Sequence, residues 1–481
     1  KLEHSINEPE CYGMFTNATL LGSVAAVITK TPTLKVLVYD GAAADVKKGA
    51  LEALKEARED LKIYTFDEFL ELGKANPKEV NHPQPDDTAC LMYTSGSTGA
   101  PKGVIITNAN IIAAVAAVEA LLPHVIQAGE TYIAYLPLAH IMEFAVEMVG
   151  VPAVWELIRK GILTKVNAAG GLKAKVFHAA LAAKKFGGKD SMIGNLMDTI
   201  VFNAVKQGTG GRLKWALSGG AQISKETQEF LSTALVTILQ GYGMTESTAM
   251  CCLLPPEFHD YSTVGVPVPS VEIKLVDVEE AGYFSTNKPP QGEVLIRGPS
   301  VTKGYYKRED ITKETFTEDG WLRTGDIGQW NANGTLSIID RKKNLVKLAG
   351  GEYIALERLE SVYKSCQYVS NICLYADSQA SKGMAIIFPH EGNLKALASL
   401  APESHGDLAL LCTNDAVRDA VLKELNAVGK KAGLKPLETM QTVVLTPEEW
   451  TPQSGLMTAA QKLNRKAIEK KYKKEIDAAY P

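Results

Sequence analysis

A loop rich in glycine and hydroxyl side chains constrains this chain more than any other feature of its sequence. Residues 93–103 read YTSGSTGAPKG and directly follow the apolar run 89–92, so the loop is expected to leave a strand. Its three glycines allow backbone amides to converge on an anion without obstruction by Cβ atoms. Such a group of N–H donors suits phosphate, and Lys102 adds a positive charge. The loop therefore predicts a polyphosphate site.

The same loop is not a Walker loop. Gly99 is followed by Ala100, Pro101, Lys102 and Gly103, whereas the Walker pattern has a lysine and then Ser or Thr directly after its last glycine. A P-loop nucleoside triphosphatase is therefore not expected. A flexible surface linker is the alternative interpretation, but the Pro-Lys-Gly ending and the flanking apolar runs are not typical of linkers.

Segments with strand character and helix character alternate through much of the chain. The strand-like segments are residues 33–39, 62–66, 213–218 and 236–239, and the helix-like segments are residues 46–59 and 224–233. This alternation is typical of an α/β fold with a largely parallel sheet. From about residue 261, short alternating segments separated by prolines predict a β-rich subdomain.

The predicted organisation has two domains joined by a short hinge. We expect a large N-terminal domain over residues 1–340, whose β-rich subdomain covers about 261–340, and a smaller, mobile α+β domain over residues 344–481. The hinge is predicted at residues 341–343. Because the sequence starts without Met and shows no signal peptide, we expect it to begin inside a longer protein, with the N-terminal part of the large domain missing.

Composition and charge argue against several classes of protein. The net charge of -4 is unlike that of a nucleic-acid-binding protein, and no basic stripe is interleaved with aromatic residues. Seven cysteines occur without any C-x-x-C pair, which predicts free thiols in a reducing compartment. No apolar run approaches the roughly 20 residues that span a bilayer. We therefore expect an intracellular protein, in the cytoplasm or on the cytoplasmic face of an organelle membrane.

An acidic residue follows the strand-like segment 236–239. Glu246 ends the sequence YGMTE, and open α/β sheets bind ligands beyond the carboxyl ends of their strands. Magnesium prefers carboxylate together with phosphate oxygens, so Glu246 is a candidate metal ligand. A solvated glutamate in a turn is an equally good interpretation of these residues alone.

Two other segments carry groups suited to a nucleoside. Gly219 and Gly220 lie between a strand-like and a helix-like segment, where they allow the backbone to approach a flat ring closely. The carboxylate of Asp326 is able to accept hydrogen bonds from both ribose hydroxyls. Taken singly, each segment is more often just an ordinary turn.

The loop sequence TSGSTG-x-PKG resembles the phosphate loop of the adenylate-forming superfamily, which includes acyl-CoA synthetases, luciferases and peptide-synthetase adenylation domains. Later motifs agree in order and spacing, and residues 319–328, 338–347 and 351–354 are similar specifically to long-chain fatty acyl-CoA synthetases. The resemblance implies ATP-dependent activation of a long-chain fatty acid to acyl-AMP. Transfer to coenzyme A would follow, with Mg²⁺ as the metal and with AMP and pyrophosphate as products.

The resemblance also implies roles for individual residues. Catalytic roles fall on Thr94, His140, Glu246 and Lys462, with Thr94 and Glu246 as the magnesium ligands and Lys343 as the hinge residue. The implied nucleotide-binding residues are Thr94, Ser95, Gly96, Ser97, Thr98, Gly99, Lys102, Gly219, Gly220, Ala221, Gln240, Gly241, Tyr242, Gly243, Thr245, Asp326, Ile338 and Arg341.

The catalytic lysine departs from the common pattern. Many relatives carry it directly after a Ser-Gly pair, but here Leu456 follows Gly455. The long-chain eukaryotic branch is similar to this variant and places its lysine several residues later, which makes Lys462 the candidate. A lysine on the solvent face of a helix is the alternative interpretation.

A second departure is the direct passage from Glu147 to Met148, between which relatives usually carry several tens of residues. Two other functions therefore stay open: a ligase for an aryl or amino acid, and a catalytically silent nucleotide-binding relative. The expected partners are a long-chain fatty acid, ATP and coenzyme A, without nucleic acid. Peripheral membrane association is compatible with such a substrate.

Overall fold

The computed structural model describes residues 2–94, 101–125, 141, 149–150, 152–188, 191–258, 260–458 and 462–480. The chain forms two compact units. The first consists of Lys1–Asn108 with Lys303–Thr312, and the second consists of Ala109–Thr302 with Lys313–Pro481.

The first unit contains a parallel sheet of three strands, β1 (Gly13–Asn17), β2 (Val36–Asp40) and β3 (Lys62–Thr65), in that order. Its helices are α1 (Leu2–Asn7), α2 (Leu21–Ala25), α3 (Ala50–Ala57) and α4 (Phe66–Ala75). Leu21, Leu37 and Leu54 are fully buried in the core of this unit. The strand predicted at 33–39 and the helix predicted at 46–59 are both confirmed.

The glycine loop joins two paired strands of the first unit. β4 (Thr88–Thr94) and β5 (Lys102–Thr107) are antiparallel, and Thr94 pairs with Lys102 at the end next to the loop. β5 is also held by a bridge between Val104 and Tyr305. The predicted strand before the loop is therefore present, and a second strand follows the loop directly.

The second unit opens with a five-stranded sheet in the order β10-β9-β8-β7-β6. Its strands are β6 (Val149–Gly150), β7 (Trp215–Ser218), β8 (Thr237–Tyr242), β9 (Cys252–Leu253) and β10 (Val266–Pro267). The strands β6, β7 and β8 are parallel, as the alternating sequence predicts, and β9 and β10 are antiparallel.

Helices accompany this sheet. They are α5 (Asn108–Leu121), α6 (Pro152–Ala168), α7 (Gly171–Gly187), α8 (Met192–Met197), α9 (Asn203–Gln207) and α10 (Lys225–Ala234). A π-helical turn, Asp198–Phe202, connects α8 to α9. Ser224 caps α10 by accepting a hydrogen bond from the amide of Thr227. Phe177, Phe202 and Phe230 pack together as buried aromatic rings in the core of this region.

The β-rich subdomain is confirmed as an antiparallel sheet in the order β11-β12-β13-β14. Its strands are β11 (Glu272–Val276), β12 (Gln291–Arg297), β13 (Leu322–Trp330) and β14 (Leu336–Arg341), and helix α11 (Glu309–Thr315) precedes β13 in the sequence. Every strand pairs with its sequence neighbour, which brings Asp326 on β13 opposite Arg341 on β14.

The C-terminal region is α+β, as predicted. β15 (Leu345–Lys347) and β16 (Tyr353–Ala355) form a hairpin, and β17 (Val369–Tyr375), β18 (Met384–Pro389) and β19 (Val443–Leu445) form a mixed sheet. The helices are α12 (Leu356–Tyr363), α13 (Glu391–Lys395), α14 (Leu408–Thr413), α15 (Asp415–Lys431), α16 (Arg465–Lys471) and α17 (Lys473–Ala479). The chain thus ends in two short, lysine-rich helices.

The mixed α/β architecture that the sequence predicts is confirmed. The boundaries at 1–340, 341–343 and 344–481 stay a prediction, although β14 ends at Arg341 and a 3-10 turn, Lys342–Asn344, follows it. All seven cysteines lie in the described ranges and are free thiols. None of the helices in the described ranges has the length and apolar character needed to cross a membrane.

Candidate active site

A buried carboxylate lies where β13 and β14 pair. Asp326 is buried, and its Oδ2 accepts a hydrogen bond of 2.7 Å from the hydroxyl of Tyr242 at the end of β8. Its Oδ1 lies 3.5 Å from Nε of Arg341. Burial raises the pKa of Asp326, and the positive charge of Arg341 partly opposes this effect. Three of the predicted nucleotide-binding residues are therefore in direct contact.

A lysine of the C-terminal region belongs to the same cluster. A Cβ atom placed on Gly220 would lie 3.9 Å from Nζ of Lys462, so the ammonium group lies beside the predicted nucleoside-binding turn. Burial lowers the pKa of Lys462, and Arg341 lowers it further, whereas Asp326 acts in the opposite direction. Gly220 has a φ of +78°, a conformation that glycine adopts without strain.

The turn that carries Lys462 is held by its own hydrogen bonds and by a buried ion pair. The amide of Thr458 donates to the carbonyl of Lys462 at 2.8 Å, and the Thr458 hydroxyl accepts from the Lys462 amide at 3.1 Å. Shortly after the lysine, the guanidinium of Arg465 lies 2.8 Å from the buried carboxylate of Glu360 on α12 and donates to the carbonyl of Leu374 on β17. These contacts fix the start of α16, which begins at Arg465, three residues after Lys462.

The segment that contains Gly219 and Gly220, predicted to approach a flat ring, is tied to β14. Ser218 ends β7, and Gly219, Gly220 and Ala221 follow it without regular secondary structure. The next residue, Gln222, donates from its amide nitrogen to the carbonyl of Ile338 at 2.7 Å. This contact links the predicted nucleotide-binding residue Ile338 to the turn.

The end of β8 requires glycine. A Cβ atom on Gly243 would lie 1.8 Å from the carbonyl oxygen of Ala249, and one on Gly241 would lie 2.9 Å from Sδ of Met250. Gln240, which precedes Gly241 on β8, is buried and lies opposite Ser218 of β7. The close approach of these chain segments explains why a glycine-containing sequence follows the strand.

Glu246 is placed by a tight turn after β8. It lies with Thr245 in the 3-10 turn Thr245–Ser247, its side chain is buried, and its carbonyl accepts a hydrogen bond of 2.8 Å from the amide of Thr302. The interpretation as a solvated turn residue is therefore wrong. Among the described residues, no group of three His, Cys, Asp or Glu side chains is arranged to hold a metal ion.

Two predicted phosphate-binding residues lie in the first unit. Thr94 ends β4 and Lys102 begins β5, and the ammonium group of Lys102 lies 5.2 Å from the centre of the Tyr305 ring. The predicted residues Ser95, Gly96, Ser97, Thr98, Gly99 and His140 lie outside the described residues.

Sequence reasoning missed a buried carboxylate at the predicted hinge. Asp340 is 1% exposed, and its carboxylate accepts hydrogen bonds from the amides of Arg341 at 2.6 Å, Glu357 at 2.9 Å and Arg358 at 3.4 Å. Burial, reinforced by the charge of Glu357, raises the pKa of Asp340 to about 7. Its position immediately before the hinge residues was the only available signal. Asp340 therefore connects β14 to the start of α12.

The predicted hinge residue is exposed at the surface of the protein. Lys343 lies in the 3-10 turn Lys342–Asn344 between β14 and β15. Partial desolvation of its ammonium group lowers the pKa of Lys343, and the nearby charge of Arg341 acts in the same direction.

Comparison with known proteins identifies the family. Residues 1–306 match the sequence model of the family described as AMP-binding enzyme. The chain is 42% identical to Long-chain-fatty-acid–CoA ligase 1 of Schizosaccharomyces pombe over 523 aligned residues, which cover 100% of this chain and 76% of that protein. It is 39% identical to Long-chain-fatty-acid–CoA ligase 4 of Saccharomyces cerevisiae, again over 100% of this chain and 76% of the relative.

The fold has close counterparts among solved structures. The adenylation domain of a carboxylate reductase from Mycobacterium chelonae matches with a TM-score of 0.79 at 24% identity, over 99% of this chain and 74% of that one. At this level of identity the match concerns the fold alone. The expected resemblance to long-chain fatty acyl-CoA synthetases is confirmed by the sequence relatives. The chain belongs to the AMP-binding enzyme family.

Proposed function

We propose that this chain is a long-chain fatty acid–CoA ligase that converts ATP to AMP and pyrophosphate. The observation that carries the proposal is the position of Lys462, whose ammonium group lies beside Gly220 and interacts with the charges of Asp326 and Arg341. A cation at this position suits an enzyme that acts on the innermost phosphate of a bound nucleotide. The names of the relatives supply the acid: both are called long-chain-fatty-acid–CoA ligases.

In the first step, the carboxylate of the fatty acid attacks the α-phosphorus of ATP, the bond to the β-phosphate breaks, and pyrophosphate leaves. Two anions must meet, so catalysis requires charge neutralisation and in-line placement more than it requires a base. We assign the stabilisation of charge on the α-phosphate to Lys462. Binding of the outer phosphates by Thr94 and Lys102 of the glycine loop stays a prediction from the family resemblance.

The ribose is assigned to Asp326. Ribose hydroxyls that donate to its carboxylate favour the charged form, which opposes the effect of burial on the pKa of this residue. Tyr242 and Arg341 hold the carboxylate from two sides and so fix its orientation. The glycine at position 220 would allow the adenine to approach the backbone.

Magnesium is assigned to Glu246. Mg²⁺ is commonly held by one or two carboxylates together with substrate phosphates and water, and Glu246 offers one buried carboxylate. When bound, the ion neutralises phosphate charge. Thr94 is the second predicted ligand and stays a prediction.

In the second step, the thiol of coenzyme A attacks the acyl carbonyl, the thioester bond forms, and AMP leaves. A free thiol has a pKa of about 8.5, so part of it is ionised near neutral pH without assistance. The step requires access to the carbonyl, which Lys462 and its turn would restrict. We propose that the residues after Lys343 rotate to open this access.

A substrate panel tests the proposal. The purified chain is incubated with ATP, Mg²⁺ and coenzyme A together with palmitate, oleate, octanoate, benzoate or an amino acid, and AMP and acyl-CoA are measured. We expect products with palmitate and oleate, and none without ATP. A preference for benzoate or an amino acid would favour a ligase for another acid. No AMP with any acid would favour a catalytically silent nucleotide-binding relative.

Peripheral contact with a membrane belongs to the same proposal, because a long-chain acid partitions into bilayers. We also propose a cytoplasmic location or one on the cytoplasmic face of an organelle membrane. Fractionation of cells that express the chain with its natural flanking sequences tests both points.

A further inference from the structure

Two consecutive helices of the second unit carry an exposed apolar surface. Its large side chains are Leu172, Val176 and Phe186 on α7, Met192 and Leu196 on α8, and Ile200 in the π-helical turn. Phe186 and Met192 are each 89% exposed, and Leu172 is 79% exposed. We call these six residues the α7–α8 apolar face.

The spacing on α7 gives this helix two apolar sides. Leu172, Val176 and Phe186 recur at intervals that place them on one side of a helix, with the small Ala179 and Ala183 between them. Phe177 on the other side is buried in the core. One apolar side therefore packs inside the protein, and the second is left to solvent.

The orientation of the π-helical turn after α8 is fixed by a buried ion pair. Lys184 is buried, and its Nζ lies 2.5 Å from the carboxylate of Asp198. Because Asp198 points toward α7, the neighbouring Leu196 and Ile200, which are 53% and 65% exposed, are directed outward. The side chain of Ile193 packs against Gly187, 3.3 Å from its Cβ position, and holds the two helices together near their connection. The exposed side chains thus belong to two helical segments that contact each other through Lys184–Asp198 and Ile193–Gly187.

The charges beside this face favour an anionic partner. Lys173 and Lys175 on α7 are exposed, and neither forms an ion pair with any residue in the described part of the chain. Lysines next to exposed Leu, Phe and Ile side chains are typical of surfaces that lie in the headgroup region of an anionic bilayer. Docking of a second copy through the same face would bring the lysines of both copies together, which is unfavourable.

We propose that the α7–α8 apolar face inserts into the surface of an anionic lipid bilayer, with Phe186 and Met192 entering most deeply. The purpose of this insertion rests on the proposed function, because a long-chain acid dissolves in the bilayer. Contiguous exposed apolar surface of this kind usually marks an interaction site. The two lysines would supply attraction to lipid headgroups, which salt weakens.

The test is cosedimentation of the purified chain with vesicles of phosphatidylcholine, alone or mixed with phosphatidylserine. The double variant Phe186→Ser/Met192→Ser removes the apolar tip, and Lys173→Gln/Lys175→Gln removes the charge. Val80→Ser is the matched control, because Val80 is 75% exposed and lies in the first unit. Release of pyrophosphate from ATP with palmitate, without vesicles, reports activity independently of vesicle binding.

We expect the unmodified chain to bind vesicles that contain phosphatidylserine. The tip variant should bind at least about tenfold more weakly, since each large apolar side chain contributes substantially to partitioning. The lysine variant should lose only the preference for phosphatidylserine, and Val80→Ser should behave as the unmodified chain. Equal binding by the tip variant and the control, or no binding by the unmodified chain, would overturn the proposal.

Sedimentation velocity without lipid distinguishes self-association through this face from insertion into a bilayer. A dimer that the tip variant converts to a monomer would assign the face to a second copy and would also overturn the proposal. Vesicle binding without pyrophosphate release would leave the docking face supported and contradict the proposed function. Failure of the membrane-docking proposal can therefore be told apart from failure of the proposed function.

Discussion

Ionisation of Asp340 should lower the stability of this protein as the pH rises through neutrality. The carboxylate is buried between β14 and the start of α12, where it accepts hydrogen bonds from the amides of Arg341, Glu357 and Arg358. Burial is the main cause that raises its pKa from 3.8 to about 7, and the charges of Glu357 and Glu360 add to it. The folded protein therefore holds this proton more tightly than the unfolded chain does.

The magnitude follows from this difference in pKa. The contribution of Asp340 to the free energy of unfolding is complete at pH values below its pKa in the unfolded chain. It is lost as the pH rises through its pKa in the folded protein. Over the full range the loss is roughly 4 kcal/mol for a pKa that moves from 3.8 to about 7. Between pH 6 and pH 8 alone, the loss is about 1.4 kcal/mol.

The assay is urea unfolding at pH 6 and pH 8, followed by tryptophan fluorescence, for the unmodified chain and for Asp340→Asn. Asparagine does not ionise. Between pH 6 and pH 8 the free energy of unfolding of Asp340→Asn should therefore fall by about 1.4 kcal/mol less than that of the unmodified chain. Asp419→Asn, at an exposed position on α15, is the matched control and should follow the unmodified chain. Parallel pH profiles for Asp340→Asn and the unmodified chain would show that Asp340 does not ionise in this pH range in the folded protein.

Three further substitutions test other contacts. Arg465→Met leaves the buried carboxylate of Glu360 unpaired and should destabilise the chain by about 3–5 kcal/mol in urea unfolding, with partial recovery in Arg465→Lys; equal stability of Arg465→Met would contradict this. Gly243→Ala places a Cβ atom 1.8 Å from a carbonyl oxygen and should cost about 3 kcal/mol or more, whereas Gly73→Ala, which meets open space, should be tolerated. Lys343→Pro should impair thioester formation more than adenylation in separate assays of the two half-reactions, and equal loss in both would exclude the hinge role.

Local sequence signals predicted much of the architecture. The alternation of strand-like and helix-like segments predicts the parallel pairing of β7 and β8, and the short segments after residue 261 correspond to the β11–β14 sheet. These features depend on the periodicity of apolar side chains and on turns within a few residues. The contact of Asp326 with Tyr242 required the family resemblance as well, because 84 residues separate the two.

The contacts that were missed depend on burial and on tertiary packing. Asp340 accepts from the amide of Glu357, 17 residues away, and nothing in its immediate sequence distinguishes a buried carboxylate from a solvated one. The ion pair of Glu360 with Arg465 joins two helices of the C-terminal region that no local pattern relates. The part of the α7–α8 apolar face that lies on α7 was not predicted, because a helix with two apolar sides resembles a fully buried helix in its sequence.

The assigned role of Lys462 in adenylation is tested by Lys462→Met, assayed separately in the two half-reactions. Exchange of pyrophosphate into ATP in the presence of palmitate should fall by about 100-fold or more, since this ammonium group is assigned to the charge on the α-phosphate. Formation of palmitoyl-CoA from preformed palmitoyl-AMP should remain close to that of the unmodified chain. Lys466→Met, at an exposed position on α16, is the control and should leave both rates unchanged. Undiminished pyrophosphate exchange by Lys462→Met would show that this lysine does not act on the α-phosphate.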